Sequence, residues 1–123
     1  MDEKQSAKTF RDLVMWQKAH HFVLDIYTIT ENFPKQEMYG LTSQIRRAAI
    51  SIPANIAEGF KKTGKADKVR YLNIAQGSLE ECRYFLILTQ DLQYANTKDI
   101  SHRLDEIGKM IDSYIRKIKN YSK

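Results

Sequence analysis

Three histidines, one cysteine and 15 carboxylates are the groups in this 123-residue chain that could move protons, attack a bond or hold a metal. Their spacing supports none of these. His20 and His21 are adjacent, so on a helix they point about 100° apart and cannot meet on one ion without other ligands. A carboxylate-bridged di-iron bundle needs Glu-x-x-His on two helices, and the sequence contains no such pair. The arginine and histidine that some four-helix ribonucleases place a turn or so apart are also missing, because no arginine stands at that distance before His20, His21 or His102. Cys82 has no second cysteine for a disulfide or a structural zinc site, and reads as a small core side chain. With no glycine-rich phosphate loop and no nucleophile beside a base, the chain is read as a non-enzyme without metal or cofactor.

Two other sets of residues carry pattern. Arg47, Ser51, Asn55 and Glu58 step by 4, 4 and 3 and so form one polar stripe that crosses Pro53, and Ser78 and Glu81 are a similar i, i+3 pair later on. Such a stripe can line a ligand pocket. It can also be structural, with Ser51 or Asn55 satisfying backbone that Pro53 leaves open and Arg47 pairing with Glu81, since a half-buried charge needs a partner. The residues favour the structural reading. The second set is positive charge. The formal net charge is +5, but residues 61–70 carry Lys61, Lys62, Lys65, Lys68 and Arg70 against Asp67, and residues 109–123 carry Lys109, Arg116, Lys117, Lys119 and Lys123 against Asp112. Each segment is +4, and the other 98 residues together are −3.

Composition indicates what positions these groups. Two prolines and five glycines punctuate long stretches rich in Leu, Ile, Ala, Lys, Glu and Gln, which favours helix, and the length suits one domain with one core. Residues 1–8 are polar without periodicity and are expected to form a disordered tail before a single domain over 9–123. Thr9, with Asp12 three positions on, is expected to cap a first helix with Leu13, Trp16, Ala19 or His20, Val23, Ile26 and Tyr27 on its apolar face, ending at Phe33-Pro34. A second helix begins within 37–42 and reaches about Phe60, burying Leu41, Ile45, Ala48, Ala49, Ile52 and Ile56, with a kink expected at Pro53. The third, from about Ala66 to Tyr94, has a narrow stripe of Val69, Leu72, Ala75 or Gln76, Leu79, Cys82 or Arg83, and Leu86. In the fourth, Ile100, Leu104, Ile107, Ile111, Tyr114 and Ile118 step by 4, 3, 4, 3 and 4, a heptad seam. Helices of this length on short loops give an all-α, antiparallel up-down-up-down four-helix bundle about 35 Å long.

That topology gathers the start of the third helix, the end of the fourth and the N-terminal Lys4, Lys8 and Arg11 at one end, which becomes strongly positive. Lysines closing the fourth helix suit its negative pole, whereas Lys65 and Lys68 oppose the positive pole of the third and point to an anionic partner. The candidate nucleic-acid-binding residues are therefore Lys61, Lys62, Lys65, Lys68, Arg70, Arg116, Lys117 and Lys119. From Tyr84 to Leu88 every side chain is apolar or aromatic, so Tyr84, Phe85, Ile87 and Leu88 are candidates for an oligomer interface. The same run is the longest apolar stretch and falls far short of a membrane span, and the opening residues carry no apolar signal segment. A cytoplasmic protein with no membrane partner is expected.

Residues 12–19 (Asp-Leu-Val-Met-Trp-Gln-Lys-Ala), 46–49 (Arg-Arg-Ala-Ala), 51–59 (Ser-Ile-Pro-Ala-Asn-Ile-Ala-Glu-Gly) and 75–81 (Ala-Gln-Gly-Ser-Leu-Glu-Glu) resemble the 23S rRNA intervening-sequence protein family, or S23 family. The resemblance covers residues 10 to about 120. It implies a bacterial four-helix protein that assembles as a ring-shaped homopentamer, some members being encoded within inserts in ribosomal RNA genes, with their own biochemical role unsettled. The family motif falls on Arg47, Ser51, Pro53, Asn55, Glu58, Ser78 and Glu81, so it points at architecture and supplies no catalytic residue. The fold it implies is also similar to that of the accessory proteins of diversity-generating retroelements, which bind nucleic acid and a reverse transcriptase through a basic surface. Two functions follow as expectations. One is a homo-oligomer that binds RNA, DNA or a ribonucleoprotein through its basic end; the other is a scaffold for protein–protein contacts with no nucleic-acid activity.

Overall fold

The structure, a computed structural model, describes residues 7–120. Those residues form four α-helices and two short 3-10 turns, with no strand among them. Thr9 caps as expected, but what it caps is short. Its hydroxyl accepts the Arg11 N–H at 3.1 Å, while the Asp12 carboxylate accepts the N–H groups of Lys8 and Thr9 at 2.8 and 3.1 Å. These bonds close a 3-10 turn, Phe10–Asp12. The two backbone donors also hold the Asp12 carboxyl below the ordinary carboxylate range. Of the tail expected over 1–8, residues 1–6, Lys4 among them, lie outside the described residues, as does Lys123 of the second basic cluster.

Leu13 is extended, so α1 (Val14–Thr30) starts beyond it. Its core line is Met15, Ala19, Phe22, Val23 and Ile26, while Trp16 is half-buried and His20 and Tyr27 are exposed. The apolar face read from the sequence is therefore displaced toward one flank, and Phe22 on the other flank is a core residue. α1 is apolar over more than one face, which leaves the period ambiguous. It ends at Thr30, whose hydroxyl donates to the Ile26 carbonyl at 2.7 Å. After Pro34, a second 3-10 turn, Lys35–Glu37, brings Glu37 to a junction. Glu37 Oε1 accepts the Leu41 N–H at 3.1 Å, and Oε2 accepts the Tyr94 hydroxyl at 2.8 Å.

α2 (Leu41–Lys61) continues through Pro53 without a break and buries Leu41, Ile45, Ala48, Ala49, Ile52 and Ile56, with Pro53 itself inside the stripe. In α3 (Lys65–Asp91) the core residues are Leu72, Ala75, Leu79, Cys82 and Leu86, so Ala75 faces inward rather than Gln76, and Cys82 rather than Arg83. Gln93 then takes a left-handed conformation (φ 64°), which lets the Tyr94 N–H return to the Thr89 carbonyl at 3.0 Å. α4 (Lys98–Asn120) buries Ile100, Leu104, Ile107, Ile111 and Ile115. The seam slips from Tyr114 to Ile115 at its last step, because a straight helix drifts against a strict seven-residue repeat. No described helix is long and apolar enough to cross a membrane.

α2 and α4 each pack against both α1 and α3. Contacts along neighbouring helices run in opposite senses: Phe60 with Lys68 and Ser51 with Ser78 between α2 and α3, Gln76 with Asp112 and Arg83 with Asp105 between α3 and α4, Lys18 with Glu106 and Asp25 with Arg103 between α1 and α4. The largest contact is that of α2 with α3. It is closest at Gly59, where a Cβ would stand 3.2 Å from Tyr71 Cβ and 3.4 Å from the Lys68 carbonyl oxygen. Gly59→Val should therefore force the helices apart and lower stability by about 1–3 kcal/mol. A urea titration reads this as a lower midpoint at unchanged slope; an unchanged midpoint would show that the fold does not depend on this approach.

Candidate functional site

The polar stripe comes together in the α2–α3 contact as a hydrogen-bonded seam and not as an ion pair. The Ser51 hydroxyl accepts Ser78 Oγ at 2.7 Å and Asn55 Nδ2 at 3.0 Å, and Asn55 Nδ2 also reaches the Ser51 carbonyl at 2.8 Å. All three residues are half-buried. Asn55 thus serves Ser51, whereas the carbonyl that lacks a donor because of Pro53 is that of Ala49, four residues before it. Arg47, Glu58 and Glu81 are exposed, and Arg47 and Glu81 form no ion pair with each other among the described residues. Charges on the outer sides of two helices keep their water and need no partner. The cation that turns inward is Arg46, whose Nε donates to Thr30 Oγ1 at 2.8 Å and whose guanidinium carbon lies 4.3 Å from the Tyr27 ring centre. Two consecutive arginines give no signal as to which one does so.

The contacts between helices put the end of α2, the start of α3 and the end of α4 at one end of the bundle. There Lys61, Lys65, Arg70, Arg116, Lys117 and Lys119 are exposed, and Lys62 and Lys68 are half-buried. Lys68 donates to the Phe60 carbonyl at 2.8 Å and approaches the Gly59 carbonyl at 3.4 Å, with the Phe60 ring centre 5.5 Å away. These carbonyls belong to the last turn of α2, the negative pole of that helix. Lys68 opposes the pole of its own helix but matches that of its neighbour, so no anionic partner is needed to account for it. Burial pulls its ammonium below the usual lysine range. Lys62 and Arg70 both lie against Tyr71, at 5.1 and 4.9 Å from its ring centre, and Arg70 also pairs with Asp67 at 3.5 Å. Lys61, Arg116, Lys117 and Lys119 face solvent with no ion pair among the described residues.

On α3, Tyr84 and Ile87 are 57% and 53% exposed, while Phe85 and Leu88 are half-buried. The outward stripe is longer than the apolar run. Ile74, Gly77, Glu81 and Tyr84 step by 3, 4 and 3 and are all exposed. Gly77 has open space around it, since an added Cβ would meet nothing within 4 Å. A glycine in a helix interior is destabilising by about 0.5–1 kcal/mol relative to alanine, and nothing inside this chain requires one here.

Among the described residues no three His, Cys, Asp or Glu side chains gather as metal ligands. Cys82 is fully buried, and burial, with the charge of Glu81, pushes its thiol up to about 12. A groove of about 880 Å³ between α1 and α4 contains His21, but its charges neutralise one another, Lys18 with Glu106 at 3.5 Å and Arg103 with Asp25 at 3.1 Å.

These features define a small all-helical bundle with one cationic end and with Ile74, Tyr84 and Ile87 exposed on the outer side of α3. The chain belongs to the 23S rRNA-intervening sequence protein family, whose sequence model matches residues 11–113. It is similar to a solved structure from Bacteroides thetaiotaomicron VPI-5482, described as a protein with unknown function from the S23 ribosomal protein family, with 29% identity over 84% of this chain and 96% of that one and a TM-score of 0.77. No curated protein matches the chain.

Two expectations follow from the local geometry. Lys68→Met removes the cap on α2 and should lower stability by about 1 kcal/mol, whereas Lys61→Met, at an exposed and unpaired position, should change it by less than about 0.5 kcal/mol. Equal effects in thermal melts would show that Lys68 does not cap α2. The second concerns alkaline pH. Folding raises the pKa of Cys82 through burial, of Tyr94 through the hydrogen bond to Glu37 and then burial, and of Tyr114 through burial. The folded state keeps these protons where the unfolded chain releases them, so stability is lost as pH rises above about 9. Lys68, lowered by burial, works in the opposite sense and offsets part of this. The melting temperature should fall between about pH 9 and about pH 12, and Cys82→Ala should flatten that fall; a flat profile for the unsubstituted chain would refute the assignment.

Proposed function

We propose that this chain is a non-enzymatic, cytoplasmic homo-oligomer that binds RNA or DNA, free or as a ribonucleoprotein, through the cationic end of its bundle. The observation that supports this best is the set of exposed cations at that end, Lys61, Arg116, Lys117 and Lys119, which have no ion pair among the described residues. Such cations contact phosphates with little regard to sequence and release counterions on binding. The family's name refers to the 23S rRNA intervening sequence, and the Bacteroides relative is assigned to a family named for a ribosomal protein; both names agree with an RNA ligand. One patch of this size binds weakly, and a ring of copies, five by resemblance to the family, repeats it and binds through many contacts at once. Assembly is supported by the outer stripe of α3. Gly77 lets a second helix approach closely, and Ile74 and Tyr84 flank it with apolar surface. The same stripe favours the alternative, a scaffold for protein contacts without nucleic-acid activity.

Titration of labelled RNA and DNA at two salt concentrations should show little sequence preference and an affinity that falls steeply with salt. Combining Lys61→Glu, Lys117→Glu and Lys119→Glu should weaken binding by about tenfold or more at low salt. Light scattering should give a mass several times the 14.4 kDa of one chain, reduced by Tyr84→Glu. An intact oligomer that binds neither nucleic acid at low salt leaves the scaffold reading; a monomer removes the ring.

A further inference from the structure

The start of α1 carries an aromatic column of Phe10, Trp16 and His20, in which Trp16 packs against the core and His20 is exposed. Trp16 and His20, one turn apart, stack with ring centres 5.1 Å apart and planes within 6° of parallel. Phe10 meets Trp16 edge-on at 5.0 Å, and the Arg11 guanidinium carbon lies 5.7 Å from the Trp16 ring centre. Gln17 fixes this turn by donating Nε2 to the Arg11 carbonyl at 2.8 Å. His20 and Arg11 are exposed, Trp16 is half-buried, and Arg11 has no ion pair among the described residues. The 3-10 turn of Phe10–Asp12 packs on α2, and α1 runs opposite to α4, so the column lies in the half of the bundle that leads to the cationic end, beside the Lys18–Glu106 pair. Across that end the combination recurs, with Tyr71 between Lys62 and Arg70.

We propose that the Trp16–His20 column is a stacking platform for unpaired bases, and that the nucleic acid this protein takes is a single strand. The inference rests on the reading of the cationic end given above and narrows it. Cations alone do not distinguish a duplex from a single strand, since both present phosphates. Aromatic rings do. A duplex keeps its base faces inside its own stack and shows a protein only its backbone and groove edges. A single strand offers a base face and a phosphate at every nucleotide, and rings interleaved with cations match both at once. Arg11, which stands over the inner ring, Trp16, places a cation beside the column without closing the exposed side at His20.

Trp16 is the only tryptophan in the chain, so fluorescence excited at the red edge of tryptophan absorption, where the seven tyrosines do not absorb, reports on the column alone. An oligouridylate of about 20 nucleotides, long enough to cross the end of a bundle, is titrated against the full chain at low salt beside a duplex of equal length. The single strand should quench Trp16 saturably and bind about tenfold more tightly than the duplex. Trp16 is packed against the core, so it is left in place and His20→Ala is the variant. It should weaken single-strand binding about fivefold or more, leaving duplex binding and the melting temperature unchanged. If both ligands bind alike, with Trp16 emission unmoved and His20→Ala without effect, stacking is overturned while the cationic end stands. If neither ligand binds, the reading of the cationic end fails and stacking fails with it.

Discussion

Two helices approach closely only where small side chains let their backbones come together, and α2 and α3 meet that condition at Gly59, which lies against Tyr71 and the Lys68 carbonyl. Much else is placed by it. Because Gly59 has no Cβ, the first turns of α3 lie close enough to the last turn of α2 for the Lys68 ammonium to reach the carbonyls of Gly59 and Phe60. Because the helices stay close for several turns, Ser78 can reach Ser51, and the hydroxyl pair is completed by Asn55. Three of the family-motif residues, Ser51, Asn55 and Ser78, meet in this contact, where two hydroxyls satisfy each other, while Arg47, Glu58 and Glu81 remain exposed.

The charges follow a simple division. Those turned inward have partners from the fold: Arg46 has Thr30 and Tyr27, Lys68 has two carbonyls, and Glu37 has the Leu41 N–H and the Tyr94 hydroxyl. Those turned outward keep their water. At the end away from the cations, Glu37 ties the segment before α2 to the segment after α3, and Tyr94 packs on Phe33 with ring centres 5.3 Å apart. At the other end the fixed elements are the α2–α3 junction and the turn of Phe10–Asp12. The cationic side chains thus project from a frame whose inward-facing polar groups are bonded within the fold.

The four helices were legible because the apolar period survives in each, most clearly in α4, where one narrow stripe stands against a charged surface. α1 was harder, since Trp16, Tyr27 and Phe22 are equally apolar and only packing decides which enters the core. The slip from Tyr114 to Ile115 is a geometric drift that a letter pattern read as a strict heptad conceals. At the candidate site the sequence located the motif and the basic clusters but not their partners. Spacing along one helix places Lys68 on a face, and it carries no information about the carbonyls of another helix that arrive beside it. The pairing of Arg47 with Glu81 failed for the same reason. The inference needed both to face inward, and the helices turn Arg46 inward instead.

A sequence that specifies one fold tends to agree with that fold at every level, and disagreements concentrate where something other than stability is being served. In this chain the core shows one such disagreement, Pro53, which is buried within α2 and leaves the Ala49 carbonyl without its helical donor; otherwise isoleucine, leucine and alanine fill the core, and the one cysteine is buried and inert. The other disagreements lie on the outside. Gly77 weakens a helix in which alanine would fit, Tyr84 and Ile87 leave apolar surface in water, and Trp16 stacks on an exposed histidine beside an unpaired arginine. Gly77 and the exposed Tyr84 and Ile87 add nothing to an isolated bundle, and the outer face of His20 is left open. On the reading proposed above, a second copy would cover the first and a nucleotide the second. The two positions lie on different helices, α3 and α1, so the two proposed contacts do not compete for one surface.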